Sequence, residues 1–421
     1  MRIAIVSPGP FSVPPIRGSS VELDIDEVSK RLAKSHDIEI YTRTCKVYPR
    51  SEQDGRIKYI RLSYHGQKSF IKQVASRIKK NKPDVILIEN RPSFVSIVRK
   101  ACKDIPIVLN MHSHVFASRR TISPLRMKKV KKQVDGFITN SNYLRQYFIK
   151  KHGISKRKIH AVHLGVDVAA YSLSKEGREI ISEKRESLGF EKHHRVMMYA
   201  GRLMREKGIH LLIRTFKQIA KRDQHARLLI VGGKGYGNNR KNKYVRYLKK
   251  LARPLKEKVR FVNFIPSKEM PEWYHICDIV ATPSVWNEPF CRVNIEGMAA
   301  GKPILTSTRG GIGEVVEHDK TGYLIPPKEW MKTIPDIWEQ IWNSVSFFTP
   351  FANRSISRAS EFTWEKTANE YLKIFSKASQ IREQKRQRPR KKRRRFLHRH
   401  SPLFGLVGPI TQTVTIPVHK V

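Results

Sequence analysis

The chain has 421 residues, 39% of them hydrophobic and 28% charged, which is enough for two domains with full cores and unlike the composition of a disordered or collagen-like chain. Its 83 Lys plus Arg against 36 Asp plus Glu give a formal net charge of +47, which predicts attraction to polyanions: nucleic acid, anionic cell-wall polymer, anionic lipid surface or acidic coat protein. No stretch nears the roughly 20 apolar residues of a spanning helix, the apolar start at residues 1–6 is too short for a signal peptide, and Cys45, Cys102, Cys277 and Cys291 include no C-x-x-C pair, so a reduced, cytoplasmic protein without a zinc site is expected.

Residues 3–7 read as a first strand that ends in Pro8-Gly9-Pro10. After a loop through Arg17-Gly18-Ser19-Ser20, the spacing of Val21, Ile25, Val28 and Leu32 predicts a helix over 21–33 that Ser19 or Ser20 can cap. Gly18 thereby reaches a helix N-terminus, where unpaired N–H groups can meet an anion or a sugar. Asp24 and Asp26 form a D-x-D inside this helical pattern. A metal-holding D-x-D ends a strand, so these two read as a solvated helix face. Apolar runs at 38–41, 57–62, 85–88, 107–111 and 137–139 alternate with helical stretches such as 70–80, 94–100 and 143–150. That alternation predicts a parallel sheet with helices on both faces, and ligands then bind beyond the carboxyl ends of the strands. His112 and His114 stand at such an end, with no third metal ligand near them. Ser141 ends the next strand and can cap the helix that starts at Tyr143.

Residues 168–194 are charged and polar and read as a linker with some helix. The pattern then restarts, with a strand at 196–200, a loop at 201–208 and a helix at 209–220. Arg202 and Lys207 sit in that strand-end loop, where a guanidinium and an ammonium can neutralise a diphosphate as its bond to a sugar breaks. The glycine-rich stretch 232–237 is followed by Asn238, Asn239 and basic residues instead of an apolar helix start, so it reads as a loop over the cleft and not as a dinucleotide fingerprint. A strand at 259–264 and a short helix at 270–277 lead to the buried strand 278–284, a loop with Glu288, and a helix over 291–300 that contains Glu296. A strand that feeds a helix N-terminus through a short loop makes an anion site. Carboxylates beside it can bond hydroxyls, so a phosphorylated, polyhydroxyl ligand is expected. Residues 322–326 close the sheet. Cys102 and Cys277 read as small core residues. Residues 382–400 are overwhelmingly basic, including the run at 390–395, and read as a polyanion-binding arm.

Glu288 and Glu296, seven residues apart within P-S-x-x-x-E-P-F and E-G-M-A-A-G-K-P-I, resemble the E-x7-E signature of the retaining GT-B glycosyltransferases of family 4. The phrase W-x-E-P-F-x-R-V at 286–293 is similar to that of the spore-coat-associated type. The family's G-R-x-x-x-x-K-G is matched at Gly201, Arg202, Lys207 and Gly208, its G-V-D at 165–167, its G-G-x-x-E-x-V at 310–316 and its F-S-W-E by 362–365. The resemblance covers about residues 1–375. It implies the α/β GT-B fold, two Rossmann-like doubly wound domains facing across a cleft. Residues 1–167 would be the acceptor side, 168–194 the linker, 195–350 the donor side, 351–380 helices packing back toward the first domain, and 381–421 a basic, disordered tail.

The resemblance also assigns roles. Arg202 and Lys207 would hold the diphosphate of a UDP- or GDP-linked sugar, Glu296 the ribose, and Ile265 with Pro266 the base. Glu288 would contact donor-sugar hydroxyls, and N–H groups at Phe290, Cys291, Arg292 and Val293 would bind phosphate or sugar oxygens. His112 and Gly18 would meet the sugar and acceptor, with Glu288 and His112 the catalytic pair. The nucleotide-sugar is a substrate, and no cofactor or metal is implied. The sequence departs from the pattern at Cys291, where the family has glycine, at Arg17-Gly18-Ser19, where it has paired glycines, and at Gly297, which replaces an alanine and should cost about 1 kcal/mol of helix stability.

The expected function is retaining transfer of a sugar to an unidentified acceptor in spore-coat or cell-envelope glycan synthesis. The protein would be cytoplasmic, peripheral to a membrane or assembled on the spore coat. The tail would meet anionic polymer, coat protein or membrane surface. A non-catalytic, polyanion-binding coat protein on the same fold is the alternative. No nucleic-acid motif is present, so no specific nucleic acid is expected.

Overall fold

The computed structural model describes residues 1–16, 19–235, 242–344 and 346–387. Gly18, residues 236–241 of the glycine-rich loop and the basic run at 390–395 lie outside the described residues. Strands β1 (Arg2–Val6), β2 (Asp37–Arg43), β3 (Ser51–Asp54), β4 (Ile57–Leu62), β5 (Val85–Glu89), β6 (Ile107–Met111), β7 (Gly136–Thr139) and β8 (Ile159–Ala161) form one sheet in the order β3-β4-β2-β1-β5-β6-β7-β8. Helices α1 (Ser20–Leu32), α2 (Gln67–Asn81), α3 (Pro92–Ala101), α4 (Pro124–Gln133) and α5 (Asn142–His152) lie between them in the chain. The doubly wound α/β class read from the sequence is the observed one.

Side-chain alternation along each strand explains the layering. Ile3 and Ile5 of β1 join the core with Ile25, Val28 and Leu32 of α1, whereas Ala4 and Val6 join the core with Phe70 and Val74 of α2 and Phe94 of α3. Only β3 runs antiparallel, against β4. Its sequence, Ser-Glu-Gln-Asp, is polar and almost wholly exposed, so it carries no apolar signal and was absent from the sequence reading.

Helix α6 (Lys175–Ser187) occupies the segment read as a linker. The second sheet holds β9 (Arg195–Ala200), β10 (Ala226–Val231), β11 (Val259–Val262), β12 (Ile279–Thr282), β13 (Ile304–Ser307) and β14 (Gly322–Ile325) in the order β11-β10-β9-β12-β13-β14. Helices α7 (Ile209–Arg222), α8 (Lys243–Ala252), α9 (Met270–Ile276) and α10 (Arg292–Ala299) alternate with these strands, and α11 (Trp330–Asn343), α12 (Phe348–Ser360) and α13 (Trp364–Gln387) follow. Helix α13 packs against α1, β6 and β7 of the first sheet. Its far end is anchored by Lys385 to Asp135 at 2.5 Å, a fully buried carboxylate that Arg99 also holds at 2.6 Å. One apolar core runs without a break from Ile3 and Ile25 through Val162, Leu164 and Trp364 to Met198, Tyr274 and Ile295.

Two expectations need correction. Asp24 and Asp26 are not a solvated face: they are 3% and 5% exposed, because Asp24 meets Arg292 of the second domain and Asp26 meets Tyr59 of β4. Gly297 is not merely a weak helix former either. A Cβ there would lie 2.8 Å from Ile304 Cδ1 and 3.1 Å from Val280 Cγ2, so the glycine lets α10 sit close on β12 and β13. Gly297→Ala should therefore lower stability by about 1 kcal/mol, since overpacking of about 1–3 kcal/mol exceeds the helix-propensity gain of about 1. Adding Ile304→Val should recover part of that loss. A thermal melt in which Gly297→Ala raises the midpoint would show that propensity wins.

Candidate functional site

The loops 201–208 and 283–291 meet at the carboxyl ends of β9 and β12. Gly208 has φ +73°, and a Cβ on it would lie 1.9 Å from the carbonyl oxygen of Pro283, so only glycine lets the 201–208 loop pass the end of β12 this closely. The N–H of Val285 donates to the carbonyl of Glu206 at 2.9 Å, which ties the two loops together. Tyr199 from β9 donates its hydroxyl to the carbonyl of Arg202 at 2.9 Å. Arg202 is half-buried here.

This seam brings Lys207 onto Glu288. The Lys207 Nζ lies 2.6 Å from Glu288 Oε1, and Ser284 Oγ donates to the same oxygen at 2.7 Å. Glu288 is 2% exposed. Burial alone would discharge Lys207, but the facing Glu288 carboxylate outweighs it and the amine's pKa is raised. Both loop residues singled out by spacing thus form one ion pair. Ser284, the polar end of an apolar run, completes it and was not singled out.

Helix α10 begins at Arg292, with Cys291 as its N-cap. The Cys291 side chain is buried, and burial, with Glu288 nearby, pushes its thiol up to about 12, so it stays a neutral thiol. Phe290 is buried and stacks on His163 of the first domain with ring centroids 6.0 Å apart. Val293 is half-buried in the first turn. Glu296 accepts from the Tyr274 hydroxyl at 2.7 Å and from Arg292 Nε at 3.4 Å. The Asn294 N–H donates to the Cys291 carbonyl at 3.1 Å, while the N–H groups of Arg292 and Val293 open α10 without a partner within the helix and leave an anion-favouring terminus beside the Lys207–Glu288 pair.

On the first domain, His112 follows β6, as the strand-end rule requires, but its ring is enclosed. His112 Nε2 lies 2.8 Å from Glu89 Oε2, and Nδ1 lies 3.4 Å from Asp24 Oδ2. Burial opposes a charge on this ring, yet the two carboxylates prevail and raise its pKa to about 10. The Asn110 amide nitrogen is 3.0 Å from His112 Nε2 and 2.7 Å from the Tyr371 hydroxyl of α13. Arg292 reaches across from α10 and donates through a guanidinium nitrogen to Asp24 Oδ1. His114 takes a different position, with its ring 5.6 Å from Trp286 of the second domain and 5.1 Å from Tyr147.

Glu314 belongs to the 310–316 loop, whose Gly311 N–H donates to the Glu288 carbonyl at 2.7 Å; its own carboxylate accepts from the N–H groups of Asn142 and Tyr143 at 2.7 and 2.6 Å and pairs with His163 at 2.8 Å. Despite burial, these partners hold its carboxyl below the usual range. It caps α5 of the first domain, a role that no local pattern announces. Glu89 was also missed, although it directly follows the apolar run 85–88 and the strand-end rule points to it. Ile265 is half-buried and Pro266 exposed. Among the described residues, no group of three or more His, Cys, Asp or Glu is placed to hold a metal ion, and no helix is long and apolar enough to cross a membrane.

Two family models match the chain: "Glycosyltransferase Family 4" over residues 21–170 and "Glycosyl transferases group 1" over residues 180–339. "Putative glycosyltransferase YtcC" of Bacillus subtilis is 32% identical over 77% of this chain and 79% of its own length. "Spore coat protein SA" of the same organism is 29% identical over 90% of this chain and 100% of its own. Among solved structures, HepE of Anabaena, crystallised with UDP, superposes with a TM-score of 0.71 at 22% identity over 89% of this chain and 100% of that one. The sucrose-phosphate synthase of Thermosynechococcus elongatus superposes with a TM-score of 0.72 at 20% identity, over 89% and 98% of the two chains.

Proposed function

We infer the activity of this chain from its membership: it belongs to the family 4, group 1 glycosyltransferases, enzymes of the GT-B type. Our reading is an active, retaining, metal-independent enzyme that takes a sugar from a nucleotide-diphosphate-sugar. The observation that carries it is the Lys207–Glu288–Ser284 cluster, set beside Arg202 and the N-terminus of α10. The diphosphate draws Lys207 and Arg202 and is stabilised as it leaves. Lys207 then yields Glu288 Oε1 to the hydroxyls of the donor sugar, while Glu296, steadied by Tyr274, accepts from the ribose. UDP in the HepE crystals supports a UDP-linked donor.

In this reading the acceptor hydroxyl attacks the anomeric carbon from the face the phosphate leaves. The bond from that carbon to the phosphate oxygen breaks, the bond to the acceptor oxygen forms, and the acceptor's proton passes to the departing phosphate. No protein nucleophile is required, and the charge on the leaving group is met by side chains, not by a metal ion. The acceptor belongs to spore-coat or cell-envelope glycan, a setting supported by the similarity to Spore coat protein SA. The test is the anomeric configuration of the product, read by proton NMR. An α-linked product from an α-linked donor is expected, and inversion would overturn the retaining mechanism.

The net charge of +47 favours one other reading, a coat protein on this fold that binds polyanions without catalysis. A chain that binds anionic polymer but no nucleotide-sugar would establish it.

A further inference from the structure

We propose that Asp24 is a positioning residue of the transfer site, a single carboxylate that faces the His112 imidazole across 3.4 Å with one oxygen, a charge contact without a hydrogen bond, and captures Arg292 of the second domain with the other. The inference rests on the reading of the cleft as a transfer site and adds to it the residue that couples its two halves.

The geometry carries it. The Asp24 side chain is 3% exposed, and its partners come from different domains: His112 at the end of β6 and Arg292 at the start of α10. Enclosing a carboxylate this deeply is costly unless it is paired. Arg292 also holds Glu296 at 3.4 Å and lies over the Trp364 ring of α13 at 5.4 Å from its centroid. One chain of charge therefore runs Glu296, Arg292, Asp24, His112, Glu89, from the ribose-side carboxylate through the acceptor-side histidine to the carboxylate behind it. The groups packed about the His112 ring are Asp24 and Glu22 of α1, Glu89 of β5 and Asn110 of β6, with Tyr371 of α13 reached through Asn110. Arg91 lies beyond, near Glu22.

The arrangement has a consequence that a plain interdomain strut lacks. Asp24 divides its charge between two cations, Arg292 and the His112 imidazolium. Without Arg292 it would face His112 alone and hold that proton more tightly. The docking of Arg292 and the proton affinity of His112 are thereby linked, and linkage is reciprocal. The docked Arg292 brings the proton on His112 nearer to exchange, beside the place where the acceptor hydroxyl must lose one.

Asp24→Asn and Arg292→Ala both cut the interdomain pair but should act oppositely on His112. In Asp24→Asn the ring keeps one carboxylate and should titrate at lower pH than in the unaltered chain, with kcat at least about tenfold lower and falling further as pH rises through that titration, and the donor KM nearly unchanged. In Arg292→Ala the ring should stay charged throughout, with a higher donor KM because Glu296 loses its brace. Imidazole nitrogen shifts from histidine-labelled protein, assigned with His112→Gln, read the titration without any substrate. Identical behaviour of the two variants would reduce Asp24 to a strut, and His112 titrating below pH 8 in the unaltered chain would overturn the proposal even if neither variant folds. If the unaltered chain binds no nucleotide-sugar, the function reading falls, while the imidazole titration still decides the role of Asp24.

Discussion

Replacing Lys207 with alanine is expected to lower kcat by about 10²–10³-fold, the loss that follows removal of one group aimed at developing negative charge. The loss should be in kcat more than in KM, because the ammonium is worth most when the sugar–phosphate bond has stretched and the diphosphate carries its full charge. Stability should fall as well. Glu288, 2% exposed and 2.6 Å from the ammonium, would keep Ser284 as a donor but lose its counter-charge, and breaking one side of a buried pair costs about 3–5 kcal/mol. Lys207 is 22% exposed, so the lower end applies. The double variant Lys207→Met, Glu288→Gln separates the two effects. It should recover most of the melting temperature and none of the turnover. Recovery of both would mean that the pair only holds the loops in place.

Gly208→Ala should be nearly as damaging, although the residue has no side chain to offer a ligand. Its left-handed φ of +73° costs an alanine about 1–2 kcal/mol, and a Cβ lying 1.9 Å from the Pro283 carbonyl forces backbone apart. The loop must therefore shift away from the end of β12, and Lys207, its neighbour, leaves Glu288. A total near 3 kcal/mol corresponds to a fall of about 6–12 °C in the melting temperature for a domain of this size, with turnover lost alongside. A variant that melts within about a degree of the parent and transfers sugar normally would show that the seam is slack.

Much of this was legible in the sequence because it is local. Strand-loop-helix alternation gave both sheets, and the strand-end rule pointed to the loops that carry Arg202, Lys207 and Glu288, whereas Glu296, inside a helix, and the donor roles of all four came from the family resemblance. The residues that escaped depend on partners distant in the chain. Asp24 lies in a helix whose pattern reads amphipathic either way, and only the docking of α10, 268 positions later, turns it inward. Glu314 sits in a glycine-rich loop that suggests a ligand, yet its partners are the N–H groups that open α5. Gly297 looks like a defect until Ile304 and Val280 are seen beneath it. Cys291, which stands where the family has glycine, is buried. Gly18 and the basic run at 390–395 remain sequence readings.

The central claim is that the second-domain seam binds a nucleotide-diphosphate-sugar. It is tested most directly by calorimetric titration of the full chain with UDP-, GDP- and ADP-sugars, alongside Lys207→Ala. Saturable binding of one of these donors at one site per chain is expected, with affinity falling by about tenfold or more in the variant, at least about 1.4 kcal/mol. If no donor binds saturably, or if binding is the same with and without Lys207, the account is contradicted.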